Sequence, residues 1–147
     1  MKTVLTLGTF DMLHVGHLEL FRACRALAGL DGKVVVAVNR DSFVATYKGV
    51  LPTIPYQQRR EMVAACRDVD LVVCNTGDET ARPAIMVVEP DIIAVGDDWK
   101  DRDYLRQLGV LEEWLDERRI RVAYVPRTTG QSSSALRAGT GGLAPSR

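Results

Sequence analysis

Five short runs rich in Val, Ile and Leu constrain this chain more than any other feature: TVLTLG (3–8), KVVVAVN (33–39), DLVVCN (70–75), DIIAVG (91–96) and RVAYVP (121–126). Near-continuous apolar strands of this kind belong in a parallel sheet covered on both faces. The intervening segments carry helical spacing. Leu20, Phe21, Cys24 and Leu27 form one stripe, and Met62, Val63 and Cys66 a second. Leu105, Leu108, Leu111 and Leu115 form a third, with Trp114 beside it. Pro83 suits the first turn of a helix running to about Val88, where Pro90 stops it. Strands alternating with helices at this rhythm predict an α/β fold: a Rossmann-like, doubly wound, five-stranded parallel sheet with helices on both faces and right-handed crossovers.

At 147 residues the chain suits one domain, placed at 1–137, with a Gly/Pro-rich tail at 138–147 that reads as disordered. The tail holds a formal GxGxxA match, Gly139 to Ala144, but no strand precedes it and too little chain follows for a helix. Nineteen basic residues balance nineteen acidic ones, so no overall field favours nucleic acid or an anionic membrane as partner. Cys24, Cys66 and Cys74 lack metal-type spacing and read as reduced thiols of a cytoplasmic protein. No apolar run reaches the ~18 residues of a membrane span, and the chain opens on a strand rather than a signal-peptide pattern. The expected location is the cytoplasm.

In a doubly wound sheet, ligands bind beyond the carboxyl ends of the strands, where strand order reverses. The loop after the first run is GTFDMLHVGH, Gly8 to His17, and it contains both histidines of the chain. Gly8 permits a tight turn there, and the chain enters a helix near Val15 or Gly16. Unpaired N–H groups at a helix start attract an anion, and the small Gly16 lets a bulky group approach. His14 and His17, three apart, can project to one side of that helix start and offer N–H groups to phosphate. The spacing also suits a metal pair or two histidines satisfied within the structure, although no third ligand is obvious.

Gly8-Thr9-Phe10-Asp11 followed by His14-Val15-Gly16-His17 resembles the GTFD…HxGH signature of the nucleotidyltransferase superfamily that includes cytidylyltransferases. Arg127 to Ser134, RTTGQSSS, resembles the second signature, RTxGISTT, with Gln131 in place of Ile and Ser-Ser-Ser in place of Ser-Thr-Thr. Gly96-Asp97-Asp98-Trp99 resembles the GDDW of glycerol-3-phosphate cytidylyltransferases, as does Pro55-Tyr56 followed by Arg59. The likeness runs from about residue 2 to 137. It implies that an acceptor's phosphate attacks the α-phosphorus of a nucleoside triphosphate and pyrophosphate leaves. Such chemistry needs positioning and charge neutralisation rather than a covalent nucleophile.

The resemblance assigns roles by position. His14 and His17 hold the triphosphate and stabilise charge at the α-phosphorus, with Lys48 and Arg127 as further catalytic groups. Lys48 matches a lysine on a mobile loop; the subfamily usually has more than one there, and this chain has one. Gly8, Thr9, Phe10, Asp11, Gly16, Asp97, Arg127, Thr128, Ser132, Ser133 and Ser134 are expected at the nucleotide, and Arg137 follows as another phosphate ligand. Asp11 is metal-facing or orients a histidine. Asp41, Arg59, Arg67 and Trp99, with Lys48, are expected on the acceptor side, and Trp99 serves equally well as a core residue. Arg59 and Arg67 lie eight apart, roughly two turns, and so would share a helical face; Arg60 is off it. The implied cofactor is Mg²⁺ or another divalent cation, and the implied state a homodimer. The expected substrates are CTP and a small phosphorylated polyol, glycerol 3-phosphate first. The run 47–63 also looks like archaeal-type FAD synthetases, which adenylylate FMN, and somewhat like heptose-phosphate adenylyltransferases, so ATP stays open. A protein that senses nucleotides without catalysis is a further alternative, opposed by the intact His14, His17, Lys48 and Arg127.

Overall fold

Successive side chains of a strand point to opposite faces, so a run that is apolar throughout can cover two cores at once. The computed structural model, which describes residues 1–77, 80–97, 99 and 103–126, shows that arrangement. The strands are β1 (Thr3–Gly8), β2 (Lys33–Asn39), β3 (Leu71–Asn75), β4 (Ile92–Gly96) and β5 (Arg121–Val125). The helices are α1 (Val15–Ala28), α2 (Asp41–Lys48), α3 (Tyr56–Ala64), α4 (Arg82–Val88), α5 (Tyr104–Leu108) and α6 (Glu112–Glu117). Val4, Val34, Val36, Val38, Ile92 and Ala94 pack with Phe21, Cys24 and Ala28 of α1 and Val63 of α3. Leu5, Val35, Ala37, Ile93 and Val95 pack the other way, with Ala84 and Ile85 of α4, Leu108 of α5 and Leu115 of α6. Burial pushes the Cys24 thiol up to about 12, which leaves it an inert core group.

The sheet is wholly parallel, in the order β3-β2-β1-β4-β5. Strand order reverses between β1 and β4, and the pairing there is short. β1 pairs with β2 in register from Thr3↔Lys33 to Gly8↔Val38. It pairs with β4 at Val4↔Ile92 and Leu5↔Ile93. Beyond Leu5 the two central strands part, and a gap opens toward their carboxyl ends. Among the described residues, no helix is long and apolar enough to cross a membrane.

Three expectations change. The leucine stripe from 105 to 115 is two short helices, α5 and α6, because Gly109 takes a left-handed conformation (φ 73°). A Cβ at Gly109 would also lie 2.5 Å from the Thr80 side chain. Leu111 falls in the break and is exposed. Met62 is exposed as well, so α3 buries Val63 but not the whole predicted stripe. The segment after β2 is helical: Phe43 and Val44 are buried on α2, and Lys48 is its last residue rather than a loop residue.

At the amino ends of β2 and β3, the Arg25 guanidinium bonds the carbonyls of Gly29, Gly32 and Asp68 and the Asp70 carboxylate. Asp70 also accepts from Val34 N–H at 2.8 Å. Partial burial would raise the Asp70 carboxyl, but the Val34 N–H and the Arg25 cation outweigh it and hold it below its ordinary 3.8. A depressed carboxyl stabilises the fold above its unfolded value, and that contribution is lost as pH falls through the folded value. Asp70→Asn is therefore expected to cost about 1 kcal/mol at pH 7, modest because the pair is partly solvated. The difference from the parent should shrink toward zero as denaturation is measured below pH 3.8.

Candidate functional site

The parting of β1 and β4 creates a cleft of about 160 Å³, floored by Thr6, Leu7 and Gly8 on one side and Val95 and Gly96 on the other. His17, Gly16, Phe10 and Trp99 wall it, so the histidine turn and the GDDW segment share one cavity. Trp99 rests against Tyr104 with ring centroids 5.3 Å apart. It thus belongs to the core and the cleft together, and Asp97 beside it is half-buried.

The histidine turn is built from backbone choices. Phe10 takes a positive φ of 53°, and Met12 one of 59°. Phe10 folds back over Gly8, where a Cβ would meet the ring at 2.9 Å. The buried ring then stands edge-on to the His17 imidazole at 5.3 Å and against Phe21 at 5.4 Å. Residue 8 must be glycine for the ring that orients His17 to fit.

The two histidines cap α1 reciprocally. His14 is the N-cap, and its Nδ1 accepts from Gly16 N–H at 3.0 Å. His17 Nδ1 accepts from His14 N–H at 3.1 Å. This is the geometry of a capping box, with imidazoles in place of the usual hydroxyl and carboxamide. The rings stack at 3.9 Å. A neutral imidazole that accepts at Nδ1 carries its proton on Nε2. Both rings are thereby fixed as Nε2–H donors. The expectation of open backbone N–H groups at the helix start is narrowed: the histidines take up the Gly16 and His14 N–H groups, His17 walls the cleft, and His14 Nε2 is buried behind it.

Several predicted ligands hold protein instead. Asp11 is buried, and its two carboxylate oxygens accept Thr53 N–H and Ile54 N–H, each at 2.8 Å. Arg59 is 1% exposed. Its Nε–H bonds the Ile54 carbonyl at 2.7 Å, and one terminal nitrogen bonds the Thr9 and Asn39 carbonyls, both at 2.7 Å. The other terminal nitrogen bonds Asp41 at 2.6 Å. Four of the five donors of a guanidinium are thus engaged, so Arg59 does not serve an acceptor's phosphate. Arg67 shares no face with it, because α3 ends at Ala64; Arg67 is exposed beside Leu13, Phe21 and Met62. Asp41 stands at the first turn of α2, partly exposed and paired to Arg59. Arg127, Thr128, Ser132, Ser133, Ser134 and Arg137 lie outside the described residues, as do Asp98 and the tail.

Sequence reasoning missed a line of buried polar groups across the strand ends. Asn75 donates to Asn39 Oδ1 at 2.8 Å, and Asn39 donates to Thr9 Oγ1 at 3.1 Å. The signal was available: β2 and β3 are apolar runs that each close on asparagine. Thr6 Oγ1 is buried beneath the cleft with no hydrogen-bond partner among the described residues.

A family model described as cytidylyltransferase-like matches residues 5–139. The chain is a member of that family. Among its relatives is an FAD synthase of Korarchaeum cryptofilum, 34% identical over 136 residues that cover 92% of this chain and 88% of that one. Another is a glycerol-3-phosphate cytidylyltransferase of Staphylococcus aureus, 30% identical with 93% of each chain covered. The cytidylyltransferase-like chain also shares its fold with a lipopolysaccharide core biosynthesis protein from Thermoplasma volcanium, at a TM-score of 0.67 and 26% identity over 87% of this chain and 97% of that one.

Gly8→Ala tests the support of His17. The methyl group must displace the Phe10 ring, with an expected loss of about 1–3 kcal/mol in denaturant unfolding. The His17 ring resonances should shift with it.

Proposed function

We propose that this cytidylyltransferase-like chain transfers a nucleotidyl group from a nucleoside triphosphate to a phosphorylated small molecule, releasing pyrophosphate. The observation that carries this reading is the reciprocal histidine cap, which holds His17 at the wall of a cleft at the strand-order reversal with the His14 ring stacked on it. An acceptor phosphate oxygen forms a bond to the α-phosphorus while the bond to the bridging oxygen of pyrophosphate breaks. Negative charge builds on the oxygens around that phosphorus. Preset donors favour that state over the ground state without rearranging. The positive end of α1 adds to the effect, and Lys48 and Arg127 supply mobile and planar positive charge in the role their family positions suggest.

CTP with glycerol 3-phosphate is the first substrate pair, supported by the GDDW and RTTG segments and by the staphylococcal relative. ATP with FMN is the second, supported by the 34% identity to the archaeal FAD synthase. A divalent cation, Mg²⁺ in this reading, neutralises triphosphate charge when bound. Among the described residues no three His, Cys, Asp or Glu side chains are grouped to hold a metal. Both Asp11 oxygens already accept backbone N–H groups. The ion would then be held chiefly through the substrate's phosphates and water, as Mg²⁺ commonly is.

Pyrophosphate release, measured with CTP or ATP against glycerol 3-phosphate or FMN, tests the reading. One pairing should dominate, and no release across a wider panel of nucleotides and phosphorylated acceptors would sink it. His14→Asn separates capping from chemistry. Asparagine keeps an N-cap acceptor for Gly16 N–H but removes the Nε2–H. The melting temperature should stay within about 3 °C of the parent while turnover falls by ~10² or more. His17→Ala should lose turnover on the same scale. Near-normal turnover in both variants would remove the histidines from the chemistry.

A further inference from the structure

We propose that Asp11 and Arg59 are positioning residues that act on nucleotidyl transfer through Lys48. This inference rests on the functional reading above. The connection from α2 to α3 covers residues 49–55, and its first part is open to solvent, with Val50 and Leu51 exposed. Its return is gripped at one peptide-bonded residue from two sides. Ile54 gives its N–H to Asp11 and its carbonyl to Arg59, and the neighbouring Thr53 N–H goes to the second Asp11 oxygen. Arg59 also holds the opposite end of α2 through Asp41. Helix α2 is therefore tied at its amino end by the Arg59–Asp41 pair and, just past its carboxyl end, by the Asp11 clamp on Thr53 and Ile54.

Lys48 closes that helix, five residues before Thr53. A chain of five residues spans at most about 18 Å, so the clamp bounds where the lysine can stand. The other ends of the clamp are the histidine turn itself: Asp11 belongs to it, and Arg59 bonds the Thr9 carbonyl within it. The Asp11 carboxylate and the Arg59 guanidinium thus limit how far the lysine can stand from the imidazoles, which come from parts of the chain more than thirty residues apart. Without them α2 keeps its buried Phe43 and Val44, but its last residue loses its fixed relation to the turn. Misplacement by about 1 Å can cost ~10²-fold in rate.

A double-mutant cycle between Asp11→Asn and Lys48→Ala tests this, read as pyrophosphate release with hydrogen exchange alongside. Asp11→Asn leaves one carboxamide oxygen, and its NH₂ faces an N–H. Exchange at Thr53 and Ile54 should quicken more than ~10-fold. Turnover should fall ~10- to 10²-fold with the larger part in kcat. In the Lys48→Ala background the same substitution should cost less than about twofold, because a residue acting through the lysine has nothing left to position. Arg59→Lys gives a second cycle should Asp11→Asn fail to fold. Equal losses in both backgrounds would overturn the proposal and return Asp11 to a direct contact or to a purely stabilising role. Unchanged exchange at Thr53 and Ile54 would overturn it too. A parent protein that releases no pyrophosphate removes the functional reading and this inference together, whereas an active parent with an additive cycle removes the inference alone.

Discussion

The carboxyl ends of β1 and β2 converge on a guanidinium with almost no contact with solvent. A buried cation is costly unless its N–H groups find acceptors. Arg59 finds carbonyls in the turn after β1, at the end of β2 and in the approach to α3, together with the Asp41 carboxylate at the start of α2. Three separate stretches of chain, at Thr9, at Asn39 to Asp41 and at Ile54, must therefore stay within hydrogen-bonding distance of one guanidinium. The other end of the sheet uses the same device in a wetter form, where Arg25 collects three carbonyls and Asp70. Strand ends carry peptide groups that the ladder no longer satisfies, and arginine, with a planar fork of donors, can gather several of them at once.

The strands were readable almost to the residue. Runs 3–8 and 33–39 match β1 and β2 at both ends, because a chain apolar on both faces has few other places to go. Helix boundaries were harder wherever a single conformation outweighed spacing. The four leucines from 105 to 115 keep a helical interval, yet Gly109 turns left-handed between Leu108 and Leu111 and sends Leu111 outward. The Asp41–Lys48 helix was hidden by its polar start, although Phe43 and Val44 supply the buried pair that holds it down.

The site was legible as a place more than as a set of contacts. The reversal of strand order, the glycine turn and the histidine pair all point to one cleft, and the structure brings Gly8, Phe10, Gly16, His17 and Trp99 around it. Charge was the misleading signal. Asp11 and Arg59 carry the residue types expected of ligands, but a charged side chain in a polar turn can equally well serve peptide groups, and burial decides between the two. Spacing misled for Arg59 and Arg67, since eight residues make two turns only where the helix continues, and α3 stops at Ala64. Asn39 and Asn75 spoke through position alone, as polar residues ending apolar runs.

The histidine cap has a thermodynamic consequence. A side chain that is free in solution loses rotamer entropy when it seizes a ligand, a loss of up to ~1–2 kcal/mol for the longer ones. The two imidazoles have already given up that freedom on folding, because each Nδ1 is tied to the start of α1 and the rings lie on one another. In the proposed reaction an arriving polyanion would meet rings whose torsions are already set, so their ordering would weigh on the stability of the helix and not on affinity.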